Sequence, residues 1–145
     1  MKSNKKHQKN RIICIVVLFL LGTSCLYGQS YNQIQLMNKE WVWHQEGKAF
    51  HYVSFFTSKE IITHMFMDGV KVEAETKNYY YLSDHIVDTF HPDSVEKSKS
   101  GKYIVVLSKG FYEERLELYE ILELTETTFK EKHLRSGSVL EYKVK

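Results

Sequence analysis

The chain has 145 residues, 26% of them charged and 14% aromatic, and a formal net charge of +2. Five basic side chains (Lys2, Lys5, Lys6, Lys9, Arg11) crowd the first eleven positions, and without them 15 Lys+Arg face 18 Asp+Glu. The remainder is therefore acidic, which argues against a nucleic-acid partner, since that needs a basic face. One domain is the expectation at this length.

The chain opens with a leader-like pattern. Ile12 to Leu21 is an unbroken apolar run of ten residues, about half of what a bilayer-spanning helix needs. A basic start, a short apolar run and small residues after it make a secretory signal peptide. Two processing routes compete. A cut after Gly28 leaves Gln29 as the new N-terminus. Alternatively Cys25 is lipidated after cleavage in front of it, as Gly22-Thr23-Ser24 would suit. The usual large aliphatic residue three places before the cysteine is missing, and Leu26-Tyr27 follows in place of a polar tether. The cut after Gly28 is the preferred reading. Residues 1–28 are then a leader and 29–145 a single domain, periplasmic or secreted. A membrane tether, as in an outer-membrane lipoprotein, follows only if Cys25 is lipidated. The other cysteine, Cys14, lies inside the apolar run, so the processed chain has no disulfide and no thiolate chemistry.

Beyond the leader the periodicity is mostly two, as on a pleated strand. WVWHQ sets Trp41 and Trp43 against Val42 and His44. AFHYVSFFT puts Phe50, Tyr52, Ser54 and Phe56 on one face. EIITHMFM runs into Asp68-Gly69, a strong hairpin signal because both central turn residues need φ > 0, and VKVEA follows. NYYYLS and HIVDTF read as two further strands split near Asp84. Residues 91–101, HPDSVEKSKSG, read as a loop around the single proline, Pro92. KYIVVLS is a strand ending at a Lys109-Gly110 turn, and TTFKEKHL pairs with SVLEYKVK across Ser136-Gly137.

FYEERLELYEILEL is ambiguous. Its glutamates at 113, 114, 117, 120 and 123 cover one side of a helical wheel, and helix propensity favours that reading. With period two, Leu116 and Leu118 alternate, then the register jumps to Tyr119 and Ile121, and again to Leu122 and Leu124. A strand with one or two bulges produces such jumps. The closely flanking strands favour strand. The expected fold is all-β: an antiparallel up-and-down barrel of about eight to ten short strands, closed because closure removes the edges.

LMNKEWVW resembles the opening strand of lipocalin-like domains. YEILELTETTFKEK followed by LEYKVK resembles their last hairpins, and YYYLSD…F…GKYIVV is similar to the middle of small exported lipocalin-like proteins of Gram-negative bacteria. The resemblance covers roughly residues 36–145 and rests on hydrophobic patterns, not catalytic signatures. It implies an up-and-down barrel of about eight strands. Glu40 stands directly before Trp41, where the lipocalin pattern has Gly-x-Trp, which leaves open a barrel filled by its own side chains.

The chemistry-bearing residues are dispersed. His85, Asp88, His91 and Asp93 are the densest ligand-type set, but His85 and Asp88 would point to opposite faces of a strand. His44, His51 and His64 lie on three successive strands, where three imidazoles could hold a zinc ion. No Gly-x-Ser-x-Gly elbow or phosphate-cradling loop is present, so neither catalysis nor a cofactor is expected. Trp41, Trp43, Tyr52, Phe56, Phe66, Tyr79 and Tyr81 are candidates to line a ligand cavity, with core packing as the competing role. One ring of Tyr79-Tyr80-Tyr81 must face outward. Asp93-Ser94-Val95 resembles an O-glycosylation tripeptide of Gram-negative envelope proteins, which makes Ser94 a candidate acceptor. The functional expectation is a non-catalytic exported protein that binds a small apolar or amphipathic ligand in the barrel. The alternative is a protein-binding envelope module, or an inhibitor of a secreted enzyme, acting through loops and exposed aromatics.

Overall fold

The structure, a computed structural model, describes residues 28–110 and 113–145. Residues 1–27 of the expected leader, Cys25 included, lie outside the described residues. Eight antiparallel strands close into a barrel: β2 (Glu40–His44), β3 (Phe50–Phe56), β4 (Glu60–Met67), β5 (Val70–Ser83), β7 (Tyr103–Lys109), β8 (Glu114–Leu124), β9 (Thr128–His133) and β10 (Val139–Val144). Each pairs with the next, and β10 returns to β2 through Val144 opposite Trp41. Two short strands, β1 (Tyr31–Asn32) and β6 (Ser100–Gly101), pair with each other outside the barrel.

The registers explain the sequence pattern. Trp41 pairs with Ser54, Ser54 with Thr63, and Thr63 with Thr76, so these residues share the inner face. The Asp68-Gly69 turn has φ of 51° and 78°, the left-handed pair that a two-residue hairpin turn requires. HIVDTF is not a strand. Residues 84–99 form a loop, because Tyr79–Ser83 is already paired with Tyr103–Leu107 on the far side of the loop. VKVEA and NYYYLS are one continuous strand, β5, of 14 residues.

Residues 114–124 are strand, with a register shift between Ile121 and Glu123. The shift accounts for the second jump in the apolar pattern. The first jump has another origin, because the outer face of β8 is also apolar there, at half-buried Leu116 and Leu118. Leu116 and Leu118 point outward and border, with Ile86 of the 84–99 loop, a common groove. The outward leucines thus give way to the inward Tyr119 and Ile121, which is the first jump.

The core lies at one end of the barrel. Leu36, Trp41, Phe56, Tyr80, Leu82, Ile104 and Phe129 are buried there. A short 3-10 turn, Gln33–Gln35, plugs this end. It is capped by the Asn32 side chain, which accepts from the Ile34 N–H at 3.1 Å. The buried Gln33 side chain donates to the Ser58 carbonyl at 3.0 Å, and Trp41 Nε1 donates to the Leu36 carbonyl at 2.8 Å. At Gly101, an added Cβ would fall within 2.5 Å of Ser83 N and O, so the β6 strand approaches β5 as only glycine permits. The hairpin connections 45–49, 68–69 and 134–138 lie at the opposite, turn end. Among the described residues no helix is long and apolar enough to cross a membrane.

Candidate functional site

Halfway along the barrel the apolar packing gives way to a polar cavity of about 110 Å³. Its polar lining comes from Ser54 of β3, Thr63 of β4, Asn78 of β5, Tyr119 of β8, Glu131 of β9 and Tyr142 of β10. Ser54 and Thr63 are cross-strand partners, and their hydroxyls meet at 3.0 Å. Asn78 Oδ1 accepts the Lys109 N–H at 3.1 Å.

Glu131 is the unusual member. It is 6% exposed, and glutamate is almost never fully buried unless paired. Its Oε1 accepts from the Tyr142 hydroxyl at 2.9 Å, and no ion pair involves it among the described residues. Burial pushes its carboxyl up to about 7, although the Tyr142 hydrogen bond pulls the other way. Burial also raises the Tyr119 and Tyr142 hydroxyls, with the Glu131 charge adding to it in both. The two phenols therefore stay neutral. Alternation brings Glu131 here. Phe129, Glu131 and His133 share one face of β9, and Phe129 is in the core. That parity was the available signal, obscured by the flanking lysines 130 and 132.

One layer toward the turn end, His133 stands between two partners. Its Nε2 lies 2.6 Å from Glu117 Oε2, and its Nδ1 lies 2.8 Å from Ser136 Oγ. Acid, imidazole and hydroxyl follow one another as in a nucleophile relay. Yet the two N–H groups after the hydroxyl are already used: Gly137 donates to the His133 carbonyl and Ser138 donates back to Ser136 Oγ. Neither remains for an oxyanion. The array closes the 134–138 turn.

The seven aromatics divide between two faces. Trp41 and Phe56 belong to the packed core. Trp43 and Tyr52 share the inner face nearer the turn end, stacked at 5.3 Å. Phe66, Tyr79 and Tyr81 lie on the outer face. Phe66 stacks on His51 at 5.1 Å. Tyr79 is 36% exposed with Lys109 Nζ 5.0 Å from its ring centroid. Tyr81 is 3% exposed, with Phe90 of the 84–99 loop at 5.3 Å. Among the described residues no single cavity joins the two sets.

His44, His51 and His64 share the outer face without gathering into one group. His44 and His51 are cross-strand neighbours stacked at 4.9 Å, whereas His64 pairs with Val53 and lies 3.5 Å from Glu75. His85, Asp88, His91 and Asp93 are spread along the 84–99 loop. Among the described residues no group of three or more His, Cys, Asp or Glu is gathered around a metal position. Ser94 ends a 3-10 turn, Pro92–Ser94, and is half-buried. Outside the barrel, Ile86, Asp88, Leu116, Leu118, Leu134 and Arg135 border a groove of about 460 Å³. In comparisons with known proteins, no family model matches the chain, and no curated protein or solved structure matches it significantly.

Proposed function

We propose that this chain is a lipocalin-like binding protein that acts without catalysis and receives one end of a small amphipathic ligand in its barrel. The observation that carries the reading is the buried Glu131 carboxyl on the wall of a polar cavity. Packing alone does not explain it, since an apolar residue there would avoid the cost of burying a carboxyl. A cavity of about 110 Å³ is small beside the few hundred Å³ of a typical ligand pocket. It suits a head group, not a whole molecule, and the body of the ligand would lie toward the turn end against Trp43 and Tyr52. The leader pattern of residues 1–28 supports a site of action outside the cytoplasm. Native mass spectrometry of the exported protein from its own host tests the reading. A retained small molecule that is released on unfolding supports it, and ligand-free protein that also ignores ten-carbon amphiphiles sinks it.

The alternative, a protein-binding envelope module, would use the outer groove and the exposed ring of Tyr79. Ile86, 62% exposed, favours it as an anchor. Replacing Ile86 by aspartate would then abolish a partner interaction while leaving amphiphile binding intact. Glycosylation at Ser94 is a separate proposal. It predicts that the intact mass of the exported protein exceeds the sequence mass, and that the excess disappears in S94A.

A further inference from the structure

We infer that the head group held in the cavity is a compact protonated amine, with the Glu131 carboxylate as its counter-charge. This rests on the binding reading above and specifies its ligand class.

Among the described residues Glu131 has no cationic partner. Neither lysine nor arginine borders the cavity. Tyr142 engages only Oε1, so among the described residues no hydrogen bond engages Oε2. Buried carboxylates are ordinarily paired, and here the cavity occupies the place a partner would take.

The remaining lining fits the same chemistry. An ammonium group carries three donors and no acceptor, so its site must offer acceptors. Besides Oε2, the hydroxyl oxygens of Tyr119, Ser54 and Thr63 are within the same cavity and can rotate to accept. The rings of Phe56, Tyr119 and Tyr142 add faces that attract a cation. An anionic head would meet the Glu131 charge, with Glu117 one layer above. A neutral hydroxyl would leave the carboxylate without a counter-charge. The size agrees too: liquid water takes about 30 Å³ per molecule, so 110 Å³ holds an ammonium and one or two methylenes.

Binding of this kind depends on pH. The titratable groups facing Glu131 are Tyr119 and Glu117 of β8, His133 of β9 and Tyr142 of β10. The surrounding β3, β4 and β5 contribute Ser54, Thr63 and Asn78, which do not titrate. Tyr80 of β5 is turned away, its hydroxyl donated to the Thr57 carbonyl. The raised Glu131 carboxyl is ionised above neutrality and protonated below it, so an amine is held at pH 8 and released at pH 6.

Isothermal titration of the processed protein with decylamine, decanol and decanoate, at pH 8 and pH 6, tests this. Decylamine should bind at least tenfold more tightly than either competitor at pH 8. That preference should fall about tenfold at pH 6 and vanish in Glu131→Gln, a near-isosteric change checked for folding by circular dichroism. Equal binding of decylamine and decanol would overturn the amine assignment and leave the amphiphile reading standing. Failure of all three to bind would overturn both. A pH dependence that survives in E131Q but disappears in H133N would transfer the effect to His133 and overturn the role of Glu131. Should E131Q not fold, the head-group and pH comparisons on the wild-type protein still decide.

Discussion

The Tyr142 hydroxyl donates to the buried Glu131 carboxyl at 2.9 Å, and this pair ties stability to pH. The carboxyl is raised from 4.5 to about 7 in the folded chain. A raised acid favours the folded state while protonated. Its contribution is fully present below about pH 4.5, is lost as pH rises through about 7, and changes no further above that. At 1.36 kcal/mol per unit, the loss is on the order of 3 kcal/mol. Glu75 and Glu141, lowered by hydrogen bonds from Lys77 and Lys143, act in the opposite direction at acid pH. The difference between wild type and E131Q isolates the buried group. Urea unfolding from pH 5 to 8 should show E131Q gaining on wild type as pH rises, and parallel profiles would refute this.

Replacing Tyr142 by phenylalanine removes the one hydrogen bond that lowers the Glu131 carboxyl. The Glu131 titration should then move to higher pH, and the protein should lose about 1–3 kcal/mol at pH 8, where the charge is left without its donor. A carbon-13 NMR titration of the glutamate side chains reads the first effect. A midpoint that stays in place or falls would show that the hydrogen bond is not formed in solution.

Trp41 fills the plugged end and donates to the Leu36 carbonyl. Trp41→Phe leaves a cavity and a buried carbonyl without its partner. The expected cost is about 2–3 kcal/mol, measured as a shifted urea midpoint with an unchanged slope. A loss below about 0.5 kcal/mol would mean that the 3-10 turn does not close the barrel through this contact.

Gly101→Ala should cost about 3 kcal/mol by overpacking, because the new methyl would meet Ser83 backbone, which a side-chain rotation cannot relieve. The damage should be local. Hydrogen exchange should quicken at Tyr31–Asn32 and Ser100–Gly101 while the β7–β8 amides stay protected. Uniform loss of protection would instead make this contact part of the global barrel.

Much of the fold was legible because strand alternation survives wherever one face meets water. Phe50, Tyr52, Ser54 and Phe56 fell on one face, and Asp68-Gly69 marked its turn. The reading failed where local pattern is not decisive. HIVDTF has strand-like residues, but its apolar side chains cover the outside of β5 and β8 as a loop, and pairing of β5 with β7 leaves it no edge. Phe66, Tyr79 and Tyr81 read as lining residues because aromatic character does not report which face is inner. The pairing of Phe66 with His51, and of Tyr79 and Tyr81 with Leu107 and Val105, settles that parity.

By itself the sequence determined the all-β class, the hairpin order and the acidic, cysteine-free character of residues 29–145. These follow from side-chain period, turn chemistry and composition, which are local properties. Only the tertiary structure decided which face of each strand turns inward, and with it the candidate site. Glu131, Tyr142, Tyr119, Ser54, Thr63 and Asn78 come from six different strands, and closing the barrel is what brings them around one cavity. Closure also moves a carboxylate that reads as surface charge between two lysines into the barrel interior, where it is 6% exposed and burial disfavours its charge. The chemistry proposed for it begins with that change of environment.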